Sequence, residues 1–189
     1  MTIQYSIDED DYLTFQLFTA SRSAVIRKRR FRTKILFPAL YIIFGAVLLA
    51  EQKTGMSIAF FGLALVWYFL YPIRDRRIYR MNYLNYIRQN LKDAFGNQAT
   101  IRFEKQYIVT KDQIGETKFP LADLEEVAEI PSAIYIKLKS GQTLILPKEK
   151  LDFTPNSNSG NTAELTARLK EITAQLNVNY YNASNWRWK

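Results

Sequence analysis

ILFPALYIIFGAVLLA, residues 35–50, is followed after the step EQKTG by MSIAFFGLALVWYFLYPI, residues 56–73. Neither run contains an Asp, Glu, Lys or Arg. At ~1.5 Å per residue, helices of these lengths cover roughly 24 and 27 Å, close to the hydrocarbon thickness of a bilayer. The pair therefore predicts a transmembrane hairpin over 35–73. The competing expectation is a buried hairpin in a soluble protein, because the first run is short for a span.

The charge pattern favours the membrane. Of the 189 residues, 26 are Lys or Arg and 18 are Asp or Glu. Residues 97–176 hold ten basic and eleven acidic side chains, so the rest of the chain holds sixteen and seven, a net of +9. Arg22, Arg27, Lys28, Arg29, Arg30, Arg32 and Lys34 precede the hairpin, and Arg74, Arg76, Arg77, Arg80, Arg88 and Lys92 follow it. The step between the runs offers only Lys53, offset by Glu51. Basic flanks stay on the cytoplasmic side, so both termini are expected there and the short step outside. Trp67, Tyr68 and Tyr71 suit an interfacial aromatic belt at that end. With no ionisable residue inside either run, an ion or proton pathway has no candidate.

Composition narrows the chemistry further. There is no Cys and no His, which excludes disulfides, thiolate metal sites and the usual general base. Mean hydropathy is −0.21, so a largely polar chain carries one local membrane segment. Asp8 to Asp11 replace the positive charge and apolar core of a cleavable signal, and none is expected. A basic excess concentrated beside the hairpin argues against nucleic acid as a partner. The seven glycines form no phosphate-binding loop, and no cofactor or metal is expected.

Working outward, residues 2–7 alternate Ile3, Tyr5 and Ile7 with polar neighbours, which is strand patterning. From Asp8 the acids suit a helix start, and Tyr12, Phe15 and Phe18 give an apolar face that can continue into the first span. Residues 1–34 are thus a strand and an amphipathic helix lying at the membrane surface or packed on the soluble domain. Inside the hairpin, Gly45, Ala46, Ala59, Gly62 and Ala64 are small enough to let two helices approach. Residues 74–95 predict a second amphipathic helix, with Ile78, Met81, Leu84, Ile87 and Leu91 on one seam that packs against the Tyr12–Phe18 helix or lies at the interface.

A soluble domain is expected over 96–178. Strands are predicted at ATIRFE, KQYIVTK, ETKFP, DLEEVAEI, AIYIKLK and QTLILP, with a turn near Asp112–Gly115. Ile134, Ile136 and Leu138 point inward and Tyr135, Lys137 and Lys139 outward, and Ser140–Gly141 makes a two-residue turn. The polar loop TPNSNSGN leads to a helix capped by Asn161 with Glu164 at its third position. Leu165, Leu169, Ile172 and Leu176 form its inward stripe. The fold class is therefore α+β: a two-helix transmembrane hairpin, amphipathic flanking helices and an antiparallel β half-barrel closed by a C-terminal helix. Residues 179–189 are an aromatic and basic tail.

The order IRFEKQYIVTKDQIGETKFPLADLEEVAEIPSAIYIKLKSGQTLILPKEKL, together with the elements before it, resembles the bacterial YcxB-like membrane proteins. The resemblance implies a bacterial inner membrane location and a pleckstrin-homology-like C-terminal domain. If that holds, the alternation of Thr2–Ile7 together with the family's order of elements lets this segment supply a seventh strand to the domain.

Function is expected to be interaction rather than catalysis. Asp123, Glu125, Glu126 and Glu129 cluster, but acids on an exposed strand edge are ordinarily solvated. Lys105, Lys111 and Lys118 are interleaved with acids, so the domain offers no basic pocket for a lipid head group. Contact with anionic lipid falls instead to Arg27, Lys28, Arg29, Arg30, Arg74, Arg76 and Arg77, with Trp186 and Trp188 of the tail at the interface. The expected role is an inner-membrane-anchored cytoplasmic regulatory module. It would bind an unidentified protein along a strand edge or the groove beside the C-terminal helix, or associate with itself. The alternatives are a protein that binds anionic lipid at the membrane surface, and a protective, immunity-like protein that binds a membrane-active partner.

Overall fold

The computed structural model describes residues 1–91, 95–113, 115–153 and 161–188. Lys92, most of the TPNSNSGN loop and Lys189 lie outside them. The chain divides into two compact units, Met1–Phe15 with Tyr86–Arg187, and Gln16–Asn85 with Trp188–Lys189. The architecture is α+β, with two long apolar helices and a β-rich part made of two open sheets.

The first unit holds the sheets. Strands β1 (Thr2–Ser6), β2 (Gln98–Phe103), β3 (Tyr107–Lys111), β4 (Glu116–Pro120) and β8 (Asp152–Phe153) form one sheet in the order β4-β3-β2-β1-β8. Strands β5 (Leu124–Glu129), β6 (Ala133–Leu138), β7 (Thr143–Pro147) and β9 (Asn179–Asn182) form the other, in the order β7-β6-β5-β9. The expected N-terminal strand is present: β1 pairs antiparallel with both β2 and β8, with Ile3 opposite Ile101 and Phe153. Its alternation is the reason, since Ile3 and Tyr5 are buried while Gln4 faces out. The Gly96 N–H donates to the Ile7 carbonyl at 3.1 Å, so chain leaving β1 and chain entering β2 meet at one point.

Helix α4 (Thr162–Gln175) starts at Asn161, whose side chain accepts the Glu164 N–H at 2.8 Å. Leu165 and Leu169 join Ile3, Ile101, Val127, Ile134, Ile136, Leu138 and Leu146 in one core. Burying side chains of this size contributes about 1.5–3 kcal/mol each before entropy is charged against it.

Several expectations change here. The sheets are not purely antiparallel: β9 runs parallel to β5, with Val127 opposite Tyr180, so 179–182 is a strand rather than free tail. Strand β5 consequently lies inside its sheet, and its acids do not sit on an edge. Tyr135 is buried, because the Phe15 ring packs over it at 5.2 Å between centroids and makes β6 two-sided. Four residues, 139–142, separate β6 from β7, because the Lys139 N–H leaves the hairpin to bond the Asp123 carbonyl. Gly141, at φ +86°, supplies the left-handed turn residue there. Leu176 caps α4 and is exposed, and Thr173 is buried in its place.

The second unit holds the apolar helices. Helix α1 (Glu9–Arg22), which begins in the first unit, ends before Ser23, and α2 (Ala24–Ala50) starts afresh with the Ser23 Oγ accepting the Ile26 N–H. Helix α3 runs unbroken over Thr54–Asn90, so the second apolar run and the predicted 74–95 helix are one element. The turn between α2 and α3 is tight, with Gln52 at φ +61°. Of the small residues, Gly45 and Ala64 are buried between the helices, whereas Ala46, Ala59 and Gly62 face outward. Ser57, fully buried, donates its hydroxyl to the Gly45 carbonyl at 2.8 Å. Along the predicted seam of α3, Ile87 is buried but Ile78 and Met81 are exposed.

Candidate functional site

In the first unit a groove of about 790 Å³ runs along α4. One wall is the β2–β3 turn, the other α4, and the floor comes from Pro120 and the 3-10 turn Leu121–Asp123. Backbone hydrogen bonds fix the first wall: the Glu104 N–H donates to the Tyr107 carbonyl at 2.9 Å and the Leu121 N–H to the Gln106 carbonyl at 2.8 Å. Arg168 crosses from α4 to the Phe103 carbonyl at 3.4 Å. Tyr107, Leu121, Ile172 and Leu176 supply apolar surface, and Glu104, Glu164 and Glu171 outnumber Lys105 and Arg168 on the rim. Sequence reading anticipated the groove's place but not these residues, which come together only when the β2–β3 turn meets the helix.

Two polar clusters brace this unit. Glu129 accepts from Lys148 at 2.7 Å and from the Tyr180 hydroxyl at 2.5 Å, tying β9 and the 3-10 turn Lys148–Lys150 to β5. Burial alone would raise the Glu129 pKa, but these two hydrogen bonds and the lysine charges hold it below the ordinary value. Burial, then the Glu129 carboxylate, pushes the Tyr180 phenol up. At the start of α1, Asp8 and Asp11 cap each other's backbone N–H groups and share Lys150, which lies 2.6 Å from Asp11. The Lys150 hydrogen bond draws Asp8 down, while burial lifts Asp11. Of the clustered acids, Glu129 is engaged here and Glu125 by Lys137 at 2.6 Å.

In the second unit the predicted membrane-surface residues separate into two groups. Arg27, Lys28 and Arg29 are exposed on α2, and Arg74, Arg76 and Arg77 are exposed on α3. Arg30 turns inward instead. It meets the buried Asp75 at 2.5 Å and stacks over the Trp188 ring at 4.7 Å and the Tyr79 ring at 5.6 Å. The other Asp75 oxygen accepts the Tyr71 hydroxyl at 3.1 Å. Trp188 is half-buried, and its Nε1–H reaches the Arg76 carbonyl at 3.4 Å. Trp186, in the first unit, is half-buried and closes a turn by donating its backbone N–H to the Ala183 carbonyl at 2.8 Å.

These features define an α+β protein with a pair of long helices that each carry a charge-free apolar run, and a groove-bearing two-sheet domain. Residues 103–157, from the last residue of β2 to just past β8, match the family of YcxB-like proteins, and the resemblance read from the sequence holds over that segment, less than a third of the chain. No curated protein and no solved structure matches the chain.

Proposed function

We propose that the protein is a non-catalytic interaction module, anchored in the bacterial inner membrane by α2 and α3, with both termini and the two-sheet domain in the cytoplasm. The observation that carries this reading is the contrast between the two units. The apolar run of the hairpin leaves Ile43, Leu65 and Phe69 58%, 63% and 68% exposed, whereas in the domain Ile3, Ile101, Ile134, Ile136, Leu146 and Leu165 are buried in one core. Large contiguous apolar surface of that kind is tolerated in lipid and not in water. The two sheets with α4 across them suit a pleckstrin-homology-like half-barrel, as the YcxB-like resemblance implies.

The groove along α4 is the docking surface in this reading. Its apolar floor and slightly acidic rim fit a short protein segment carrying an apolar side chain beside a basic one. The exposed Arg27, Lys28, Arg29, Arg76 and Arg77 favour a concurrent contact with anionic lipid at the membrane surface.

The absence of cysteine makes the test clean. A membrane-impermeant maleimide should label Gln52→Cys in intact spheroplasts and Gln142→Cys only after lysis. Labelling of both in intact cells, or extraction of the protein by alkaline carbonate, overturns the anchored cytoplasmic arrangement. A photo-crosslinker at Gln175, in the groove, should join a membrane-protein segment that one at Gln142 does not. Loss of that adduct in Ile172→Glu assigns the contact to the groove, and equal adducts from both positions overturn it.

A further inference from the structure

A second concavity lies on the hairpin itself. Tyr41 of α2 and Leu63, Val66, Trp67, Leu70 and Arg74 of α3 line a cleft of about 200 Å³. On α3 these residues fall at i, i+3, i+4, i+7 and i+11, which is one helical stripe. From Leu63 to Arg74 the stripe runs roughly 16 Å along the axis, and everything on it is apolar or aromatic until the guanidinium at its end.

The charge at that end is uncompensated. The neighbouring carboxylate, Asp75, gives one oxygen to Arg30 and the other to the Tyr71 hydroxyl. Among the described residues Arg74 has no carboxylate partner, and it is exposed. Arg74 is also the first charge after the 56–73 run, so in the anchored arrangement it stands at head-group depth while Leu63 stands within the hydrocarbon.

We infer that this cleft is a binding site for one anionic phospholipid, with a phosphate oxygen on the Arg74 guanidinium and an acyl chain along Leu70, Val66 and Leu63. A cation over an apolar slot selects a ligand with the complementary build, a negative head on a hydrocarbon chain. The bilayer supplies that ligand at the right depth and orientation. The inference rests on the membrane placement above, and the experiment separates the two.

Three tryptophans occur in the chain, so Trp186→Phe combined with Trp188→Phe leaves Trp67 in the cleft wall as the only indole. The full-length double variant is placed in phosphatidylcholine nanodiscs, and either brominated phosphatidylglycerol or brominated phosphatidylcholine is added at increasing fraction. Trp67 should be quenched about fivefold more effectively by the brominated phosphatidylglycerol, the ratio one interfacial cation supports. Arg74→Gln should bring the ratio to about one, whereas Arg74→Lys and the off-cleft Arg77→Gln should keep most of it. Equal quenching by the two lipids overturns the site while leaving the hairpin in the membrane. A loss in Arg77→Gln as large as in Arg74→Gln also overturns it, since the preference would then belong to diffuse surface charge. Absence of quenching by both lipids overturns the site together with the membrane placement.

Discussion

Gly45 and Phe61 touch across the hairpin so closely that a Cβ on Gly45 would stand 2.7 Å from Phe61 Cε1. The helix pair is thus built around one absent side chain, and the Ser57 hydroxyl on the Gly45 carbonyl sets its register beside it. Gly45→Ala forces the Phe61 ring to swing out and should cost about 1–3 kcal/mol, read from unfolding in mixed micelles. Phe61→Leu should recover part of that loss in the double variant. Additive effects of the two substitutions would show that the contact is not what limits packing. Ser57→Ala should cost about 1 kcal/mol by the same measurement.

Asp75 and Arg30 lock the neck of the hairpin, at the end away from its turn. Asp75→Leu leaves the guanidinium half-buried without its partner and should cost about 3 kcal/mol. Combining it with Arg30→Leu should be far milder than the single change. A single variant as stable as the parent would mean that the stacking on Trp188 and Tyr79 suffices to hold Arg30.

Strand β1 is predicted to be integral to the domain rather than an added edge. Ile3 is fully buried between β2 and β8, and Ile3→Ala should cost about 2–5 kcal/mol. Hydrogen exchange should find the β1 amides that bond to β2 as protected as those of β6. Rapid exchange throughout residues 2–6 would contradict that.

The Glu129 cluster should make the domain acid-sensitive. Its native pKa lies below the ordinary 4.5, so its contribution is fully present above that value and is lost as pH falls through the native value. Glu129→Gln should cost about 1.5–3 kcal/mol at neutral pH and flatten the decline below pH 4.5. An unchanged acid profile would locate the titrating group elsewhere.

Tyr5 gives the opposite sign. Burial, with the Asp112 charge adding to it, pushes its phenol from 10.0 up to about 12. Its contribution is complete below pH 10.0 and is lost as pH rises through about 12. Tyr5→Phe should therefore lose less stability than the parent between those two values. Tyr135 and Tyr180, both raised, extend the alkaline decline and remain in the variant.

Local pattern carried much of this fold. Charge-free runs mark the hairpin helices, alternation marks β1 and β6, and the Leu165–Leu169 stripe marks α4. What pattern does not carry is a partner far along the chain. Nothing in NYYN announces a parallel strand against 126–129, and nothing in AIYIKLK says that Phe15, some 120 residues earlier, covers its outer face. Helical spacing likewise offered Gly45 and Gly62 as equals, though only the first faces the other helix. At the neck, Arg30 looked like its neighbours Arg27, Lys28 and Arg29 until Asp75 was brought opposite it. The groove residues fall under the same rule, since their walls come from segments about 60 residues apart.

The meeting of Ile7 and Gly96 has a consequence for synthesis. Strands β1 and β2 are the two arms of one hairpin whose connection has been stretched to hold every residue of α1, α2 and α3. The ribosome delivers β1 first and its partner Gln98 ninety-two positions after Ser6. At about 5–20 residues per second that interval is roughly 5–20 s. Throughout it the first arm waits for its partner strand while α1, α2 and α3 are made. The two-sheet domain therefore becomes whole only after every residue of the apolar helices has been made, and its completion reports that the two ends of the connection have come back together.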